Sequence, residues 1–216
     1  MKTSIQLSKE NFIEFIIENK VLTWGEFTLK SGRISPYFFN AGLFYQGNAL
    51  LRLGEFYAAT LINHKARIDH LFGPAYKGLP LATATAIALA RQGYDVDVTF
   101  NRKEIKKHGE GGQLMGASLD KKNPMMIDDV ITAGTAFRES KAMIEHAGGK
   151  LSGVIIALDR QERGLDNTSA IADIQAEGMD VFSIITLTDL ITYLEKHDER
   201  ELLNRMKSYQ KQYGVI

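Results

Sequence analysis

From residue 69 onward, short apolar runs alternate with helical stretches, and this alternation constrains the fold more tightly than anything else in the chain. A strand over 71–72 closes on Gly73-Pro74, and an alanine-rich helix follows over 79–91. A strand over 96–100 leads into a polar, glycine-containing segment over 101–113. The next strand, over 125–127, ends in Asp128-Asp129 and precedes a helix over 135–146 closed by Gly148-Gly149. A strand over 154–158, a helix over 169–177, a strand over 181–185 and helices from about 189 and about 199 complete the series. Strands separated by helices pair in parallel, since each crossover returns the chain to the same end of the sheet. The unbroken run Val154-Ile155-Ile156-Ala157-Leu158 suits a strand covered on both faces. The expected fold class is therefore α/β, a mostly parallel central sheet flanked by helices.

Residues 1 to about 65 do not share the alternation. Ser8 is placed to cap a helix that buries Phe12, Phe15 and Ile16. Short extended pieces over 21–22, 27–29 and 37–39 surround the turn Lys30-Ser31-Gly32. A helix opening at Asn48 turns Leu50, Leu51, Leu53, Phe56, Tyr57 and Leu61 inward. These residues are expected to form a hood over the α/β core of 66–216, the whole making one domain, as 216 residues allow.

Lysines plus arginines equal aspartates plus glutamates at 26 each, which argues against a general nucleic-acid binder and leaves charge-driven binding to local clusters. No cysteine is present, so disulfide and thiolate chemistry is excluded and a cytoplasmic location is expected. Met1 to Leu7 lack the apolar core of a signal peptide, and no run of about 18 apolar residues exists to span a membrane.

Ligands of open α/β sheets bind beyond the carboxyl ends of the strands. The unusual residues of this chain gather there: Tyr76-Lys77, the basic stretch from Arg102 to Gly112, Asp128-Asp129, and Arg160. The third group leads into Val130-Ile131-Thr132-Ala133-Gly134-Thr135, a small-residue loop opening a helix. Thr132, Thr135 and the backbone N–H groups of Ala133 and Gly134 can cradle a phosphate at the positive end of that helix. The two carboxylates suit ribose hydroxyls or metal-bound water instead. Neither G-x-x-x-x-G-K-[ST] nor G-x-G-x-x-G occurs, which rules out an ordinary P-loop and a Rossmann fingerprint.

Met125 to Thr135 resembles the phosphoribosyl-pyrophosphate signature of type I phosphoribosyltransferases. Four further stretches are similar to the orotate branch of that family: Phe27 to Gly32 with Ser35 to Asn40, Gly73 to Gly78, Asn101 to Gly111, and Leu158 to Arg163. The resemblance runs from about residue 12 to the end. It implies transfer of ribose 5-phosphate from 5-phosphoribosyl 1-diphosphate to orotate, giving orotidine 5′-phosphate and diphosphate, in de novo pyrimidine (UMP) biosynthesis. It further implies a magnesium-dependent homodimer with the active site shared between subunits, and no nucleic-acid or membrane partner. Asp128 to Ala136 would hold the donor, with Asp128 and Asp129 near its ribose and its metal. Lys30 would reach the bound ligands, and Tyr76 and Lys77 the diphosphate. Arg102, Lys103, Lys106 and His108 would ride on a lid, with Lys106 acting in catalysis and Lys107 an alternative amine. Phe38, Phe39, Thr132 and Arg160 would line the orotate pocket, Arg160 facing the carboxylate. A flat anionic ring suits an aromatic border with a guanidinium partner.

Each piece also has a plainer explanation. The basic loop can be simply solvated, Phe38 and Phe39 can be core, and Arg160 and Arg163 can be surface ion-pair partners of Glu162 and Asp159. Two rival functions stay open on the residues alone. One is transfer to uracil or a purine, which needs no carboxylate partner. The other is a nucleic-acid-binding regulator that keeps the fold and the donor loop.

Overall fold

The structure, a computed structural model, describes residues 7–106, 112–132, 134–164 and 169–215, with backbone only at 105 and 106. In chain order the elements are α1 (Lys9–Glu18), β1 (Leu22–Thr28), β2 (Ile34–Phe39), α2 (Gly47–Asn63), β3 (His70–Gly73), α3 (Gly78–Ala90), β4 (Asp97–Lys106), β5 (Gly112–Gly116), β6 (Met125–Asp128), α4 (Thr135–His146), β7 (Gly153–Asp159), α5 (Ala170–Ala176), β8 (Asp180–Thr186), α6 (Leu187–Lys196) and α7 (Arg200–Tyr213). Six strands form one sheet in the order β5-β4-β3-β6-β7-β8, and β1 and β2 pair as a separate antiparallel ribbon. β4, β3, β6, β7 and β8 run parallel, and only the edge strand β5 is antiparallel.

The pleat explains why helices cover both faces. Met125 and Ile127 of β6 belong to one apolar cluster, while Met126 between them belongs to another. Successive side chains point to opposite faces, so two layers of helices are needed to keep both dry. Phe137 and Ile144 of α4 and Ile174 of α5 cover the second face. The first cluster takes residues from α1, α2, α3, α6 and α7.

Of residues 1–65, expected to form a hood, α1 and α2 thus share their core with the sheet, and the β1–β2 ribbon, separate in its hydrogen bonding, adds Leu22, Tyr37 and Phe39 to the same cluster. Ser8 caps α1 as expected, its Oγ accepting the Asn11 N–H at 3.2 Å. In α2 the buried face is Ala49, Leu53, Phe56, Tyr57 and Leu61, whereas Leu51 is exposed. Leu51 lies half a turn from Leu53, so both cannot face the core. A larger departure is the polar segment 101–113. Instead of a plain loop, β4 continues to Lys106 and pairs antiparallel with β5. Among the described residues, no helix is long and apolar enough to cross a membrane.

Candidate active site

The chain builds β3, moves outward to β4 and β5, then returns to lay β6 on the other side of β3. The segments leaving β3 and β6 therefore diverge and open a crevice between neighbouring strand ends, the usual ligand position in such sheets. Lys77 and Asp129 meet across it, Nζ to Oδ2 at 2.7 Å. Asp129 is buried, at 4% exposure, while the Lys77 side chain is half exposed, so the lysine bridges the interior to the open crevice.

The adjoining strand end is tied in as well. The Ala75 N–H donates to Asn101 Oδ1 at 2.5 Å, joining the β3 exit to β4. Tyr76, at 68% exposure, carries the Lys103 ammonium 5.0 Å from its ring centroid. Tyr76, Lys77, Lys103, Asp128 and Asp129, singled out separately in the sequence, thus come together at three adjacent strand ends. Arg102 lies differently: its Nη1 donates to the carbonyls of Gly112 and Leu114, each at 3.3 Å, holding β5 to β4. The side chain of Lys106, together with Lys107, His108 and Ala133, lies outside the described residues.

Asp128 is held from behind. Its carbonyl accepts the Tyr57 hydroxyl at 2.8 Å, and its Oδ1 accepts the Asp129 N–H at 2.9 Å. Burial, and then the charge of Asp129, push the Asp128 carboxyl up to about 7. The Asp129 carbonyl accepts the N–H groups of Ala157 and Leu158 at 2.9 and 3.3 Å, fixing the end of β6 against β7. Ile131 then anchors in one apolar cluster and Val130 packs against the other, so the loop is pinned on both sides of the sheet.

Beyond the pins, Thr132, Thr135 and Ala136 are exposed, and buried Gly134 caps α4 at φ +69°. That left-handed backbone favours glycine. α4 has neither a side-chain cap nor an acidic residue in its first turn. Its leading N–H groups are left to water or to an anion, where the helix dipole favours negative charge.

On the far side, Lys30 is exposed at the tip of the β1–β2 ribbon. Phe38 is 41% exposed with its ring 5.5 Å from that of Phe27, but Phe39 is buried in the core, because adjacent strand residues point opposite ways. Arg160, just past β7, is buried and pairs with Glu162, Nε to Oε1 at 2.7 Å. It also reaches Ser35 of β2, which joins the ribbon to the strand ends. The pairing with Glu162 matches the plainer explanation in partner but not in place, since the pair is interior. Sequence reasoning assigned no role to Tyr57 or Asn101. A tyrosine at a fully buried helical position was the available signal for the first, because its hydroxyl needs a partner. A cavity of about 110 Å³ among α1, α2 and β8 holds none of these residues.

The phosphoribosyl transferase domain family matches residues 41–188. Over 208 residues the chain is 59% identical to the orotate phosphoribosyltransferase of Legionella pneumophila (strain Paris), covering 96% of this chain and 99% of that one. It is 55% identical over 211 residues to that of Vibrio cholerae, covering 96% and 98%. The crystal structure of the Francisella tularensis orotate phosphoribosyltransferase superposes with a TM-score of 0.86 at 41% identity, over 94% of this chain and 99% of that chain.

Proposed function

The chain belongs to the orotate phosphoribosyltransferases, and from that premise we propose how its residues divide the reaction. Ribose 5-phosphate passes from 5-phosphoribosyl 1-diphosphate to orotate, yielding orotidine 5′-phosphate and diphosphate, a step of de novo pyrimidine (UMP) biosynthesis. The bond from the anomeric carbon to the diphosphate oxygen breaks with its electron pair leaving on the diphosphate, a bond to the orotate nitrogen forms, and that nitrogen's proton passes to the diphosphate or to water. Attack from the face opposite the leaving group inverts the carbon, through a transition state with oxocarbenium character.

The open start of α4, with Thr132, Gly134 and Thr135, takes the donor's 5′-phosphate. Asp128 and Asp129 face the ribose, where their charge favours the positive character growing on the ring. Tyr76, Lys77, Lys103 and the lid residues Lys106 and His108 take the diphosphate, where preorganised positive charge stabilises the departing group, and Arg102 steadies the β4–β5 hairpin beside them. Lys30 and Phe38 border the base, and Arg160 meets its carboxylate. The observation that carries this division is the Lys77–Asp129 bridge across the reversal of strand order.

Magnesium is part of the same reading. Among the described residues no group of three or more histidines and carboxylates forms a cage for a metal ion. The donor's own oxygens and water are the main ligands in this reading, with Asp128 and Asp129 receiving the hydrated ion, a pattern usual for this cation. When bound it neutralises charge on the diphosphate. A homodimer is proposed as well, supported by Leu51 on α2 and Ile87 on α3, large apolar side chains left exposed on two packed helices. A cytoplasmic location is supported by the absence of cysteine.

The test is direct. Incubation with orotate, donor and magnesium should deplete the near-ultraviolet absorbance of orotate and release diphosphate, and a chelator should stop both. Turnover that persists in excess chelator removes the metal from the scheme.

A further inference from the structure

Arg160, which the reading above sets against the carboxylate of the base, is held by groups from distant parts of the chain. Its Nε donates to Glu162 Oε1 at 2.7 Å, and its Nη2 donates to the Tyr209 hydroxyl at 3.3 Å and to Ser35 Oγ at 3.2 Å. The Tyr209 hydroxyl donates to the same Glu162 Oε1, at 2.8 Å. Ser35 Oγ donates to the Tyr37 carbonyl at 2.8 Å, and the Tyr37 ring lies 4.4 Å beneath the guanidinium.

A guanidinium has five N–H donors in one plane. Three are taken here, and the two on Nη1 are engaged by none of the described residues. The three bonds therefore fix the plane and leave one end of the fork to a ligand.

Charge follows from the same network. Glu162 alone would neutralise Arg160 and leave little attraction for an anionic base. Its Oε2, however, also receives Arg33 Nη1 at 3.5 Å, so two guanidinium groups share this one carboxylate and it is not spent on Arg160 alone. The backbone around Glu162 is clamped from α7 and the residues after it. The Arg163 N–H donates to the Tyr213 carbonyl at 2.8 Å, and the Val215 N–H to the Gln161 carbonyl at 2.9 Å. Tyr209 lies on that helix, buried at 4% exposure, its ring edge-on to Tyr37 at 6.3 Å.

We infer that Tyr209 and Glu162 are positioning residues for orotate selection, holding Arg160 so that its Nη1 end meets the base's carboxylate. The inference rests on Arg160 facing that carboxylate, so its test separates the two claims. Steady-state kinetics are measured with each substrate varied in turn for the natural protein, Arg160→Ala, Tyr209→Phe, Glu162→Asp and the double variant Arg160→Ala/Tyr209→Phe. Removal of the guanidinium should raise KM for orotate by about 10²-fold, as for a truncated charge pair. Tyr209→Phe keeps the packed ring and removes one hydroxyl. It should raise KM for orotate about fivefold to tenfold, the size of one net hydrogen bond, with kcat and KM for the donor within about twofold. Glu162→Asp keeps the charge but withdraws the carboxylate by one methylene, and should shift KM for orotate in the same direction. The double variant should be no worse than Arg160→Ala alone. If Arg160→Ala leaves KM for orotate unchanged, the assignment of Arg160 to the base is wrong. The positioning role is overturned if Arg160→Ala raises KM for orotate while Tyr209→Phe and Glu162→Asp do not. It is equally overturned if those two variants weaken both substrates in proportion, or if the double variant is additive.

Discussion

Two carboxylates stand side by side at the end of β6, and they are treated differently. Asp129 has the Lys77 ammonium at 2.7 Å, whereas Asp128 Oδ1 accepts the Asp129 backbone N–H at 2.9 Å. Burial and the charge of Asp129 push Asp128 up to about 7, against about 3.9 in an unfolded chain. Between those values the folded protein keeps a proton that the unfolded chain has lost. Stability therefore falls as pH rises from about 4 to about 7, and levels off above. Asp128→Asn removes this cost, so the free protein should gain about 1–2 kcal/mol at pH 8 relative to pH 5, after allowance for partial solvent screening. The same change removes an acceptor for the ribose, and kcat/KM for the donor should drop about 10-fold to 10²-fold. Melting curves at pH 5 and pH 8 check the first part. A variant melting in parallel with the natural protein at both pH values would mean that Asp128 titrates normally. The acidic pair and Thr132, Gly134 and Thr135 were legible in the sequence because they are contiguous and their chemistry is local. Tyr57 was not, because what marks it is a contact with a carbonyl 71 residues away.

The β4–β5 hairpin shows where periodicity stops being informative. Alternation of apolar and polar residues reveals a strand only when one face is buried. Arg102, Lys103 and Glu104 of β4, and most of β5, are partly or fully exposed, so the hairpin reads in sequence as a polar loop. The register depends on Gly116, at φ +108°, where a Cβ would stand 2.3 Å from the Val98 carbonyl oxygen. Gly116→Ala should cost about 2 kcal/mol or more of hairpin pairing. Since Lys103 of β4 lies over Tyr76 at the crevice, the visible result should be a raised KM for the donor and lower kcat, with orotate binding little changed. Limited proteolysis should then cut within 101–116 faster than in the natural protein. Cleavage at an unchanged rate would mean that the hairpin tolerates the residue.

At the scale of the whole molecule, the alternation of strands and helices was enough to anticipate a parallel α/β sheet. It could not show how the ends of the chain serve the middle. Ser35 lies 125 residues from Arg160 and Tyr209 lies 49 residues beyond it, yet both bond to its guanidinium. No local pattern encodes such pairs. The same limit applies to contacts between two copies of the chain, and here a mixing experiment is decisive. If the lid of one subunit completes the crevice of its partner, Lys106→Ala and Asp128→Asn/Asp129→Asn damage different halves of one shared site. Alone, Lys106→Ala should lower turnover about 10²-fold, the scale of losing one charge that stabilises a leaving group. Random reassortment of equal amounts makes half the dimers mixed. Each mixed dimer has one site with both defects and one with neither, so activity should return to about a quarter of the natural value. Dissociation and reassociation of the two variants, followed by the orotate assay, measures this. If each site is built from a single chain, every site in the mixture keeps one defect, and activity stays at the average of the two variants.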